Sequence, residues 1–201
     1  LFRALKTGVD PSKVILTSVG KTKNEIKLGL EKNVLMIKAE SEEEIELINK
    51  IAGEMNKTAR VAIRVNPDVD AKTHPYISTG LSSNKFGVDS KTALTIYKRR
   101  KDFPHIQFTG IDMHIGSQIT SIDPFVEAVQ KLSELYFEIE QDGLKLKHFD
   151  VGGGMGVSYN SEKKFSINEF AERTIPLFKK LNCEIIFEPG RFLTANGGIL
   201  I

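Results

Sequence analysis

The densest chemistry in the chain is a glycine run, Gly152-Gly153-Gly154, with Gly156 close behind. Successive residues without side chains let backbone N–H groups converge on an anion. The run is not a dinucleotide fingerprint. A Gly-x-Gly-x-x-Gly frame opening at Gly152 meets Val157 at its last glycine. One opening at Gly153 meets Met155, and one opening at Gly154 ends on Tyr159. There is no Walker A pattern. A flexible loop and a monophosphate cradle are the two readings, and a second glycine turn, Pro189-Gly190, favours the cradle. That turn sits between Glu188 and Arg191. Glu188 could be a general acid or base, a metal ligand, a partner for a cationic ring, or a surface carboxylate paired with Arg191. Arg191 offers a planar fork for a carboxylate or phosphate. His114 follows Asp112 by two residues, so both face one side of a strand, and His148 and Asp150 repeat the spacing. Such pairs could serve Zn²⁺ or a similar ion, but no His-x-His or His-Glu-x-x-His spacing accompanies them. A lone histidine is ordinarily structural.

Groups scattered this widely must be gathered by strands that end on one rim. Short β-branched runs occur at Val14–Ser18, Val34–Ala39, Arg60–Val65, Ile106–Met113, Leu146–Val151 and Glu184–Phe187. Helical patterns alternate with them. Thr22–Leu30 carries Ile26 and Leu30 four residues apart. Ser41 followed by Glu44 reads as a capping box ahead of Ile45, Ile48 and Ala52. Further helices are expected from about Ser90 to Lys101, from Asp123 as cap with Pro124 at the first position through Ile139, and from about Ile167 to Leu181. Alternation of this kind implies an α/β fold with a parallel sheet and helical crossovers. An open doubly wound sheet and a (β/α)₈ barrel both fit, and both place chemistry at the C-terminal ends of strands. Paired glycine turns after the last two strands suit the phosphate site of a barrel. The polar stretch Asp68–Asp89 is too long for an ordinary connection and reads as functional.

Composition narrows the classes. With 28 Lys+Arg against 26 Asp+Glu over 201 residues, there is no global electrostatic case for a nucleic-acid partner. An apolar content of 40% and a charged content of 27% exclude a disordered chain. No apolar run approaches the roughly 18–20 residues that would cross a bilayer. The one cysteine, Cys183, sits beside a strand in apolar company and reads as a buried, inert thiol suited to a reducing, cytoplasmic setting.

Taken together, Val65-Asn66-Pro67, His74-Pro75-Tyr76-Ile77-Ser78-Thr79-Gly80, Asn84-Lys85-Phe86-Gly87, His114-Ile115-Gly116-Ser117-Gln118, Asp150-Val151-Gly152-Gly153-Gly154 and Glu188-Pro189-Gly190-Arg191 resemble the diaminopimelate decarboxylases. These are pyridoxal 5′-phosphate enzymes with an alanine-racemase-like (β/α)₈ barrel. The resemblance runs in order over essentially the whole chain. It implies a cofactor site in which His114 stacks on the ring and Ser117 lies near the phosphate. The amides of Gly153, Gly154 and Gly190, in the Glu188-Pro189-Gly190-Arg191 turn, would hold that phosphate. Glu188 would pair with the pyridine nitrogen, Arg191 would meet a substrate carboxylate, and Arg64 would lie near the ring. The implied reaction is decarboxylation of meso-2,6-diaminopimelate to L-lysine by a homodimer, with no metal. Related decarboxylases acting on ornithine, arginine or carboxynorspermidine, a non-catalytic pyridoxal-phosphate binder, and an unrelated metal-dependent barrel hydrolase are the alternatives.

The resemblance also implies absences. No motif matches the family's Schiff-base lysine on the first barrel strand, so it is expected upstream of Leu1. The glycine loop and Glu-Pro-Gly-Arg follow the fifth and sixth strands here, whereas in the family they follow the seventh and eighth. Residues 1–201 are therefore expected to form about six βα units of the barrel. Two units and a C-terminal β domain would lie outside, and residues 196–201 would start the crossover into that domain. Alone, the chain is expected to leave sheet edges open and to be inactive.

Overall fold

A parallel strand is buried on both faces, so it must be apolar throughout or pair whatever charge it carries. That requirement governs the sheet. The computed structural model describes residues 1–70, 86–159 and 164–198. The His74–Gly80 motif, Asn84-Lys85 and Ile199-Leu200-Ile201 lie outside these residues. The strands are β1 (Ile15–Leu16), β2 (Met36–Ala39), β3 (Ala59–Asn66), β4 (Val88–Asp89), β5 (Ile106–Asp112), β6 (His148–Asp150) and β7 (Glu184–Ile186). Pairing runs β1-β2-β3-β5-β6-β7, every pair parallel. The sequence did not suggest β4. It adds two residues beside the C-terminal end of β3, with Val88 opposite Val65.

The crossovers are helical: α1 (Phe2–Lys6), α2 (Lys23–Lys32), α3 (Glu42–Glu54), α4 (Ser90–Lys98), α5 (Asp123–Gln141), α6 (Ile167–Phe178) and α7 (Gly190–Thr194). One face of the sheet meets them through Ile37, Ile63, Ile111 and Phe149, all at most 1% exposed. Phe125, Val129, Leu132, Leu135 and Ile139 of α5 are buried as their spacing predicts. Phe125 meets Phe165 and Phe170 edge-on at 5.7 and 5.6 Å. α1 buries none of its residues.

Helix ends differ in detail. α2 opens on a full capping box between Thr22 and Glu25. At α3, Ser41 accepts from the Glu44 amide, but the Glu44 carboxylate reaches back to the amide of Glu40. Asp123 is the first residue of α5 rather than its cap, and its carboxylate pairs with Arg173 at 2.7 Å. α6 stops at Phe178, short of the expected Leu181, with Pro176 in its last turn.

The opposite face of the sheet is polar. Lys38 registers with Ala62, and Ala62 with Gly110 and His148 in turn. One layer up, Arg64, Asp112 and Asp150 line up across β3, β5 and β6. This face is the inside of a curve. β2 and the chain after β7 are four strand spacings apart, about 19 Å if the sheet were flat. Yet the Lys38 ammonium lies 2.9 Å from the Glu188 carboxylate. The sheet is thus curled into a half-barrel of six strands, with its charged face enclosed.

Candidate functional site

The loop after β6 is built around backbone that leaves no room for side chains. Gly152 and Gly154 have φ of 72° and 100°, in the region that favours glycine. A Cβ at Gly152 would lie 2.2 Å from Met113 O, one at Gly153 would lie 2.2 Å from Glu188 O, and one at Gly154 would lie 2.3 Å from Gly116 O. The glycine turn is therefore wedged between the chain leaving β5 and the chain leaving β7. It is zipped to the former. Ile119 donates to Gly154 O at 2.9 Å, and the Gln118 side chain exchanges two hydrogen bonds with the backbone of Val157. On the other side, Glu188 donates its amide to Gly152 O at 2.8 Å.

Three of the side chains singled out by sequence converge above this turn, and a fourth lies to one side of it. Arg64, His114 and Glu188 line one cleft of about 320 Å³ together with Thr17, Ser18, Glu40, Phe86 and Asp112. His114 Nδ1 accepts from the Gly153 amide at 3.3 Å, which leaves the ring proton on Nε2. Burial, and then the Arg64 guanidinium, hold the His114 pKa below its ordinary value, so the imidazole is neutral near pH 7. Arg64 is neutralised by Glu40 at 3.0 Å and reaches the His114 carbonyl. Arg191, the fourth, stands at the outer side of the turn. It donates to Tyr159 Oη at 2.8 Å and to Ser117 Oγ at 3.5 Å, and so is near the glycine loop rather than paired with Glu188. Pro189 precedes α7, and a Cβ at Gly190 would meet open space. His148 is not part of the cleft. It is 6% exposed one layer deeper, with Nδ1 3.3 Å from Thr109 O and Nε2 near Glu184. Cys183 is half-buried and its pKa is raised by burial.

One residue at the site was not legible as functional. Lys38 is 1% exposed, and its Nζ lies 2.8 Å from Asp112 Oδ1, 2.7 Å from Asp150 Oδ2 and 2.9 Å from Glu188 Oε1. The contacts to Asp112 and Glu188 are directed hydrogen bonds, and the contact to Asp150 is ionic. Burial pushes an ammonium toward deprotonation. The three carboxylates outweigh it, and the Lys38 pKa stands above the usual lysine value. Asp112 is pushed up to about 7, chiefly by burial and further by Asp150 and Glu188, against the pull of Lys38. Asp150 is also raised by burial. The signal for Lys38 was available in principle: a lysine in the middle of a parallel strand, flanked by Ile37 and Ala39, has no route to solvent and demands an anionic partner. Among the described residues, no group of three or more His, Cys, Asp and Glu side chains is arranged to hold a metal ion.

The arrangement offers donors for one anion, a neutral imidazole face, a carboxylate with one side open to the cleft, and two arginines. Its relatives share a chemistry. The chain matches the pyridoxal-binding domain of pyridoxal-dependent decarboxylases over residues 1–195. It is 46% identical over 202 residues to a diaminopimelate decarboxylase of Haemophilus influenzae, covering 100% of this chain and 49% of that one. It is 44% identical to that of Vibrio cholerae, covering 100% of this chain and 48% of that one. Among solved structures, diaminopimelate decarboxylase from Helicobacter pylori complexed with L-lysine superposes with a TM-score of 0.91 at 41% identity, over 94% of this chain and 48% of that one. The enzyme from M. jannaschii in co-complex with L-lysine gives 0.85 at 37%, over 96% and 46%. The chain spans about half the length of the curated relatives it matches. A sheet of this curl, a glycine cradle at its rim and a match over nearly every residue make one assignment: the chain belongs to the pyridoxal-dependent decarboxylases, within their pyridoxal-binding domain.

Proposed function

We propose that the full-length protein decarboxylates meso-2,6-diaminopimelate to L-lysine, in lysine biosynthesis, using pyridoxal 5′-phosphate. The observation that carries the reading is the meeting of the glycine turn, His114, Arg64 and Glu188 at one cleft, in a chain 46% identical to a diaminopimelate decarboxylase. The residues fit the cofactor. The turn at Gly152–Gly154 packs against the backbone of Met113, Glu188 and Gly116 with no room for side chains, and the Arg191 guanidinium and Ser117 hydroxyl stand beside it as donors for a monophosphate. We assign the phosphate to the amides of Gly153, Gly154 and Gly190, with Ser117 beside it; taking it up would require the Gly153 amide to leave His114 Nδ1 and the Gly190 amide to leave Glu188 O.

When bound, the cofactor supplies the electron sink for the carbanion left as CO₂ departs. The chain's own groups prepare that step. Glu188 would accept a hydrogen bond from the ring N–H and keep the proton there, a charge-assisted contact. His114 would lie against the ring and, being neutral, would not repel a cationic one. Arg191 binds a substrate carboxylate through its fork and orients the bond to be broken. Arg64, its charge balanced by Glu40, borders the ring. A homodimer in a cytoplasmic setting completes the proposal.

The test is substrate-resolved turnover by the purified full-length protein. Release of CO₂ and formation of L-lysine from meso-2,6-diaminopimelate, in preference to ornithine, arginine and carboxynorspermidine, is the expected result. Preference for one of the others would reassign the substrate. Cofactor binding without turnover of any of them would favour the non-catalytic reading.

A further inference from the structure

The cleft carboxylate does not stand alone. Behind it, almost fully buried, are two aspartates side by side: Asp112 and Asp150 are in register on β5 and β6 and are 2% and 0% exposed. Two buried carboxylates at neighbouring positions repel each other and are costly to ionise. Lys38 crosses from β2 to meet both. It starts from the layer in register with Ala62 and Gly110. Pairing with the aspartates would need only those two contacts. The third contact, from the same Nζ to Glu188 Oε1, leads out of the buried floor to a carboxylate that is 33% exposed at the cleft.

The backbone of Glu188 is already fixed. Its amide donates to Gly152, its carbonyl accepts from Gly190, and its carbonyl also packs against Gly153. What remains is the side chain, a carboxylate on a flexible stem. Lys38 holds one of its two oxygens. We propose that Lys38 is a positioning residue for the cofactor: it fixes Glu188 so that the remaining carboxylate oxygen faces the ring nitrogen. This rests on the assignment of Glu188 to that nitrogen made above. A lysine reaching across the barrel floor thereby couples strand β2 to the ring's electronics.

The experiment separates orientation from general stabilisation. Full-length protein is titrated with pyridoxal 5′-phosphate and with its deaza analogue, in which C–H replaces the ring nitrogen. The readout is the ratio of the two affinities. Unaltered protein prefers pyridoxal phosphate. Lys38→Met is expected to lose about tenfold of that preference, the size of one charge-assisted hydrogen bond, as is Glu188→Gln. Lys38→Arg, which keeps a cation there, restores part of it. If Lys38→Met weakens both ligands equally and the ratio holds, Lys38 only stabilises the floor and the proposal fails. If unaltered protein shows no preference, the assignment of Glu188 fails first and the role of Lys38 falls with it. Should Lys38→Met lose its fold, Lys38→Met with Asp112→Asn keeps the net charge of the cluster and carries the same measurement.

Discussion

Gly153 gives the cradle its sharpest single-residue test. Its backbone is unstrained, so a substitution there acts through space alone: a Cβ would lie 2.2 Å from Glu188 O, against backbone that cannot swing aside. Gly153→Ala is expected to weaken pyridoxal phosphate binding by about tenfold or more, through one displaced amide and a shifted Glu188. Gly190→Ala is the control, because a Cβ there meets nothing within 4 Å and the amide is retained. Equilibrium titration of the two variants reads the contrast. Asp112 supports a second test. Its pKa of about 7 in the folded protein compares with about 3.9 in an unfolded chain. Between those values the folded protein keeps a proton that the unfolded chain has released. The contribution of Asp112 to stability is therefore full below the unfolded value and declines as pH rises toward about 7. Asp112→Asn removes this titration, so its Tm is expected to change less than that of the unaltered protein between about pH 4 and about pH 7. Residues carried on backbone motifs, such as His114 and Glu188, were legible because glycines and prolines mark their turns. Lys38 was not. Its partners come from Asp112, Asp150 and Glu188, 74 to 150 positions away, and only closure of the sheet brings them together.

At the scale of elements, alternation of β-branched runs with amphipathic stretches was enough to place the six main strands and five of the helices. Their limits were less legible, because pairing geometry sets them. β1 keeps only Ile15–Leu16 of the run Val14–Ser18, since just those residues find partners on β2. β4 escaped notice because two residues carry no period, and the end of β3 alone makes them a strand. The junction that follows β4 is nonetheless specified chemically. Asp89 caps α4, accepting from the amides of Lys91 and Thr92 and from the Thr92 hydroxyl. Those bonds hold its pKa below the usual aspartate value. Asp89→Ala is expected to lower stability by about 1 kcal/mol at neutral pH. Because the folded pKa is depressed, the contribution is present above the unfolded value and is lost as pH falls through the folded one. Denaturant unfolding of both proteins should therefore diverge near pH 7 and converge in acid.

The whole molecule is a curled sheet with an apolar outer face and a charged inner one, and this bears on how its lysines can react. A lysine attacks an aldehyde only as the neutral amine, and only if it can reach it. Among the described residues, two lysines are buried. Lys21 donates to Ser18 O at 2.6 Å and pairs with Glu44 at 3.0 Å. Lys38 faces three carboxylates, which keep it protonated beyond the ordinary lysine range. Lys38 thus offers no free pair of electrons to the cleft, although it lies directly beneath it. Among the described residues, no buried lysine is therefore expected to take up pyridoxal phosphate in a committed covalent attachment. Incubation with the cofactor, borohydride reduction and peptide mapping are expected to give scattered, substoichiometric labelling of surface lysines. One stoichiometric phosphopyridoxyl-lysine would overturn this, and if it fell on Lys38 it would also break the link to Glu188. A buried ammonium cannot hold a carboxylate and be consumed in a carbon–nitrogen bond at once. The label's position thus decides whether the floor of this half-barrel is electrostatic or covalent in its dealings with the cofactor.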